Sequence, residues 1–226
     1  MSARRSAGGG QRRRDGAAQP GGDADGADGA DGADGAGDIA DILRIAAARF
    51  ERYRGDIGQA IADGLRGADL GAPSPRPAPP GAFADPGDAL QGAEDELVVR
   101  LGACSDRLHW RPPGFGKLPT SVAARMAVVE VVGPNGMHRA SDVRFGFLIL
   151  GEGVTYPSHR HAAEELYLIL RGVAEWSVGD STPAQKEPGA FIHHEAWRPH
   201  MTRTGGAPLV AAWGWVGDID ASTYSA

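Results

Sequence analysis

His159 and His161 stand two residues apart in the run Gly153-Val154-Thr155-Tyr156-Pro157-Ser158-His159-Arg160-His161-Ala162-Ala163-Glu164-Glu165-Leu166-Tyr167. On an extended chain alternate residues share a face. The two imidazoles therefore point the same way, and Glu165 and Tyr167 have the same parity. Two imidazoles and a carboxylate converging inside a barrel make a half-built site for a divalent transition metal. The same ligand types serve iron oxygenases, so they do not by themselves fix a reaction. Arg160 and Glu164 have the opposite parity and are expected to face outward, Glu164 on the surface or in a salt bridge. A lone histidine on a strand is ordinarily a packed or solvated residue, and a His-x-His pair recurs by chance. The downstream Glu and the flanking glycines at fixed spacing set this segment apart.

The elements that must position these residues read as β. Apolar runs cover 125–132, 143–150, 166–170, 174–178, 190–193 and 209–215. Turn signals separate them at Pro134-Asn135-Gly136, Gly151–Gly153, Arg171-Gly172, Gly179-Asp180 and Gly205-Gly206. Short strands at this spacing predict an antiparallel sandwich or small barrel over 118–226. Ahead of it, 38–117 reads as a helical and Pro-rich extension. Asp38 is the expected N-cap of a helix in which Ile39, Ile42, Leu43, Ala46, Ala47 and Phe50 recur at helical spacing. Ile57, Ala60, Ile61 and Leu65 predict a second helix, six prolines between 73 and 86 a connector, and 89–102 one short helix. The helical pair is expected to pack on the barrel or on a second subunit.

The chain has 226 residues, 23 Lys or Arg, 29 Asp or Glu and a net charge of −6. That balance argues against a nucleic-acid partner, and the few, scattered basic residues near 38–66 give no DNA-reading helix. No window approaches 18 apolar residues, so no membrane span is expected. The N-terminus has arginines but no apolar leader core, and a cytoplasmic location is expected. The single cysteine, Cys104, excludes an internal disulfide and reads as a small buried hydrophobe. Eleven of the 34 glycines fall within 1–37, which holds no large apolar residue after Met1. Such a tail cannot bury enough surface to offset its ordering entropy, so disorder is expected there. His109 and His138 are expected on the surface or in loops.

Gly153 to Gly172 resembles the first cupin motif, G-x5-H-x-H-x3-E-x6-G, at every fixed position. The resemblance implies a mainly β, single-domain cupin, a double-stranded β-helix forming a small β-barrel, with N-terminal helices and a disordered N-terminal tail. The second cupin motif, G-x5-P-x-G-x2-H-x3-N, aligned on Gly189, places its histidine on His200. Glu195, Trp197 and Thr204 stand where its Pro, second Gly and Asn are expected, so His193 and His194 stay open as alternatives to His200. The implied ligand set is His159, His161, Glu165 and His200 around one divalent transition metal ion: Fe, Mn, Co, Ni or Zn. Cupins often pair, so a homodimer fits.

A narrower resemblance rests on Glu164-Glu165-Leu166-Tyr167, on Tyr156 ahead of it and on 199–204 behind. These segments look like the cupin-type dimethylsulfoniopropionate (DMSP) lyases, over roughly 90–220. The family implies a metal-dependent cleavage of DMSP to dimethyl sulfide and acrylate by base-catalysed β-elimination. It assigns the base to the Tyr matching Tyr167. A free tyrosine, with pKa near 10, is a poor base at neutral pH, and a nearby metal cation would lower that value. Tyr156 matches a family Tyr that could hold substrate or assist proton transfer. The sulfonium calls for aromatic faces, with Trp197, Trp213 and Trp215 as candidates and Trp215 the first choice. Two other readings remain: an iron-dependent dioxygenase of a small thiol or phenol, and a non-catalytic small-molecule-binding cupin.

Overall fold

The computed structural model describes residues 30–226, with side chains from Asp38 onward. The expectation of a disordered tail lies, over 1–29, outside the described residues. Helix α1 spans Ala30–Phe50. Asp38 is therefore inside a helix and does not cap it; its carboxylate pairs with Arg107 instead. Helix α2 (Asp56–Arg66) follows. The single helix expected over 89–102 is two, α3 (Pro86–Leu90) and α4 (Glu96–Ala103). The break comes at Gln91, whose ψ of 138° is extended, and Gly92 follows in the left-handed region at φ +66°. Asp95 then restarts the helix by accepting from the Leu97 and Val98 N–H groups at 2.9 and 3.2 Å. A short α5 (Thr120–Ala123) leads into the strands.

The described residues form nine strands: β1 (Met126–Val132), β2 (Arg144–Leu150), β3 (Thr155–His159), β4 (Glu164–Arg171), β5 (Ala174–Val178), β6 (Ala184–Lys186), β7 (Phe191–His194), β8 (His200–Thr204) and β9 (Leu209–Val216). They form two antiparallel sheets, in the orders β1-β2-β9-β4-β7 and β3-β8-β5-β6. β3, β6 and β8 had no apolar run to betray them. This is a mainly β architecture with N-terminal helices, as the sequence predicts.

The larger sheet is covered on both faces, which is why β1 and β2 are buried at every residue. The period of two still sorts their side chains. Leu166, Leu168 and Leu170 of β4 and Val210 and Ala212 of β9 pack outward against α1, α2 and α4. Tyr167 and Ile169 of β4 and Ala211, Trp213 and Trp215 of β9 point inward between the sheets. Phe50 of α1 is fully buried, edge-on to Phe145 at 5.8 Å. Helix α2 lies so close to β9 that a Cβ on Gly214 would meet Ile61 Cδ1 at 2.6 Å. The helical layer thus clamps the strand that carries the two inward tryptophans. His138, expected on the surface or in a loop, lies in the β1–β2 loop but is buried there; its backbone N–H donates to Val131 O at 2.9 Å and pins the loop to β1.

Candidate metal centre

Register explains which side chains meet. Across the larger sheet, Glu165 of β4 sits opposite Trp215 of β9 and His194 of β7, and Tyr167 sits opposite Trp213. In the smaller sheet His159 of β3 sits opposite His200 of β8. His161 follows β3 directly. His159, His161, Glu165 and His200 are all buried. The ligand atoms of His159, His161 and His200 lie within 4.8 Å of one another, as do those of Glu165, His194 and His200.

The ring nitrogens decide what the cluster can hold. His159 Nδ1 lies 2.9 Å from Pro157 O, His161 Nδ1 3.0 Å from Ala163 O and His200 Nδ1 2.9 Å from Arg198 O. A carbonyl only accepts, so Nδ1 carries the proton in each ring. A neutral imidazole has one N–H, so each Nε2 is a bare lone pair. His161 Nε2 and His200 Nε2 stand 3.2 and 3.3 Å from Glu165 Oε2. His200 Nε2 is buried without a hydrogen-bond partner among the described residues. Lone pairs and a carboxylate crowded together repel one another unless a cation sits between them. Backbone carbonyls that fix the other ring nitrogen are the usual outer support of metal-binding histidines. The cluster can therefore hold a metal.

The electrostatics agree. Burial, and then His200, push the His159 imidazole well below its ordinary 6.5, so it keeps its lone pair at neutral pH. Burial opposes the charge on Glu165, but the imidazoles gathered round it, His161 foremost, outweigh burial and hold the carboxyl well below its usual range. Trp215 Nε1 donates to Glu165 Oε1 at 2.6 Å and steadies that charge further.

A narrow cavity of about 30 Å³ opens onto the cluster, lined in part by His159, Glu165, Tyr156, Tyr167, Trp213 and Trp215. Burial, then Glu165, raises the Tyr167 phenol well above 10. Burial, then Tyr224, does the same for Tyr156, which stacks on His159 at 4.1 Å. Trp213 Nε1 is buried without a partner among the described residues. Trp197 does not belong to this site. It is 52% exposed, in a left-handed turn at φ 64°. The glycine usual at that place in the cupin motif reflects the same backbone requirement. His193 faces away, bonded to Glu164 at 2.6 Å and packed on Tyr53. Arg160 is exposed, as its parity requires.

Sequence reasoning missed Arg111, Phe115 and Tyr224, which also line the cavity. Tyr224 lies beyond the last strand. Paired backbone bonds between Arg160 and Ser225, both 2.9 Å, bring it back over His159. Its hydroxyl donates to the Tyr156 hydroxyl at 3.2 Å. Arg111 and Arg144 share the buried Glu130, at 3.6 and 2.9 Å, which leaves one positive charge beside the cavity. Only the fold brings these distant residues together.

A family model described as dimethylsulfoniopropionate lyase matches residues 82–211. The chain belongs to that family. Among curated relatives, the dimethylsulfoniopropionate lyase DddQ of Ruegeria pomeroyi is 33% identical over 126 residues, 55% of this chain and 61% of that protein. The putative dimethylsulfoniopropionate lyase DddL of Cereibacter sphaeroides is 32% identical over 129 residues, 56% of this chain and 53% of that one. The chain thus spans between half and two thirds of the curated relatives it matches. Among solved structures, DMSP lyase DddQ from Ruegeria pomeroyi DSS-3 superposes with a TM-score of 0.62 at 25% identity, covering 81% of this chain and 93% of that one. Members of the DMSP lyase family therefore share this fold with the present chain. Among the described residues, no helix is long and apolar enough to cross a membrane.

Proposed function

We propose that this protein is a metal-dependent lyase that cleaves DMSP to dimethyl sulfide and acrylate by base-catalysed β-elimination. The observation that carries the reading is the placement of Tyr167 in the same buried cavity as Glu165 and His159. The family of the chain supplies the substrate. In this reading His159, His161, Glu165 and His200 hold one divalent transition metal, drawn from Fe, Mn, Co, Ni and Zn. When bound, the ion supplies positive charge that stabilises the negative charge developing beside the substrate carboxylate.

Tyr167 removes the proton α to the carboxylate at its phenolate oxygen. The C–H electron pair becomes the new double bond, and the C–S pair leaves with dimethyl sulfide. Burial, then Glu165, raises the Tyr167 phenol in the metal-free chain; a cation held by the same carboxylate offsets the second of these effects. Tyr156, aligned by the Tyr224 hydroxyl, contacts the substrate and steadies it. Trp213 is the better wall for the sulfonium, because one side of Trp215 is taken by His161 at 4.0 Å and its N–H by Glu165. The unbalanced charge of Arg111 draws the carboxylate end and turns the sulfonium away from it.

The test is headspace gas chromatography of purified protein with DMSP, metal-loaded and chelator-treated, with oxygen uptake followed in parallel. Dimethyl sulfide that requires metal and no oxygen supports the lyase. Oxygen consumption would point to a dioxygenase, and binding without product to a non-catalytic cupin.

A further inference from the structure

Five candidate donors crowd the centre, one more than the ligand set uses. The fifth is His194 of β7, fully buried and stacked on His200 with ring centroids 3.8 Å apart. Its Nδ1 lies 2.9 Å from Glu165 Oε2. Its Nε2 lies 2.9 Å from the indole Nε1 of Trp176, on β5 of the other sheet. An indole N–H only donates, so His194 Nε2 must be the bare acceptor. The one proton of the neutral ring is then on Nδ1, where it donates to Glu165. A protonated Nδ1 cannot coordinate, and an Nε2 engaged by Trp176 faces away from Glu165.

We propose that Trp176 fixes the tautomer of His194, so that His194 is kept out of the metal's ligand set and serves as a positioning residue for Glu165. Four side chains then form one line of hydrogen bonds across the barrel: Trp176 to His194, His194 to Glu165 Oε2, and Trp215 to Glu165 Oε1. Both oxygens of Glu165 are held from outside, which sets the direction of its remaining lone pairs. His194, Trp176 and Trp215 thus do for the carboxylate what backbone carbonyls do for the three histidines. The tautomer stands on its own geometry, and its consequence for metal binding rests on the metal-centre reading above.

The experiment is a two-bond proton–nitrogen correlation spectrum of the full chain labelled with ¹⁵N-histidine, metal-free and zinc-loaded, with His194→Asn used to assign the His194 signals. Two results are expected. His194 shows a protonated Nδ1 and a bare Nε2 in both states, while other histidines move on adding zinc. Trp176→Phe, which removes the donor, shifts His194 toward a mixture of tautomers. An Nε2-protonated His194, or a zinc-coordination shift on His194 itself, would overturn the proposal. If no histidine answers to zinc, the metal-centre reading fails, and the metal-free spectrum still decides the tautomer.

Zinc affinity by chelator competition supplies the second readout. His194→Asn, whose amide N–H can replace Nδ1–H, should stay within about threefold of wild type, and His194→Leu should bind roughly 10- to 100-fold more weakly. Equal affinity of a folded His194→Leu and the wild type would also overturn it. Should His194→Leu fail to fold, Trp176→Phe keeps the tautomer open to test.

Discussion

Replacing Trp215 by Phe keeps a ring in the cavity and deletes one donor, the indole N–H that reaches Glu165 Oε1 at 2.6 Å. Glu165 is buried and charged, so the lost bond is charge-assisted and worth about 1.5–3 kcal/mol. Trimming indole to phenyl also costs packing, and the neighbouring Trp213 supplies the control. It too is buried, lines the same cavity and has an Nε1 without a partner among the described residues. Trp213→Phe therefore carries the packing cost without the hydrogen bond. Urea denaturation of the two metal-free variants should differ by about 1.5–3 kcal/mol, with Trp215→Phe the weaker. For a chain of this size the corresponding gap in melting temperature is about 3–12 °C. Zinc affinity of Trp215→Phe should fall roughly 10- to 100-fold, as expected when an outer support of a ligand is removed. A stability difference below about 0.5 kcal/mol, with affinity unchanged, would refute the claim that Trp215 steadies the Glu165 carboxylate.

Three further outcomes are expected. Metal-free protein should lose stability in acid: burial, then His200, lowers His194 to about 4 from 6.5. Its contribution is fully present above 6.5 and is lost as pH falls toward 4, because the unfolded chain binds a proton the folded one refuses; the loss is about 3 kcal/mol. His159, also lowered, acts in the same sense, and urea titrations at pH 7 and pH 4 check it against a flat profile. Trp197→Gly should stabilise the protein by about 1 kcal/mol, since the left-handed backbone is strained for Trp and free for Gly; a loss of stability by calorimetry would contradict this. Arg111→Gln should raise KM for DMSP about tenfold or more with metal content unchanged, read from initial rates, whereas an unaltered KM would remove Arg111 from substrate recognition.

The sequence made the inner wall of the barrel legible where parity applied. Glu165 and Tyr167, two apart on β4, do share one face with Trp213 and Trp215 on β9. It hid what depends on contact between distant segments. β3 and β8 carry His159 and His200 but have few apolar residues, so no hydrophobic run marks them. Trp176 and His194 are 18 residues apart and belong to different sheets. Tyr224 reaches the site only because the chain end pairs with Arg160. Trp197 reads as a site aromatic by its nearness to His200, yet a tight turn at φ 64° throws its ring into solvent. Asp38 has the chemistry of a cap, but the helix runs past it and its charge is taken by Arg107.

The account turns on Tyr167 as the base beside a metal-holding cluster, and one paired measurement reaches it. Tyr167→Phe, loaded with metal, is assayed for dimethyl sulfide release while its metal content is determined in the same sample. The ring stays packed and no ligand changes, so metal content should match the wild type. The rate should fall by about 100- to 10,000-fold, the usual contribution of a positioned base. Undiminished release of dimethyl sulfide from metal-replete Tyr167→Phe would contradict the account.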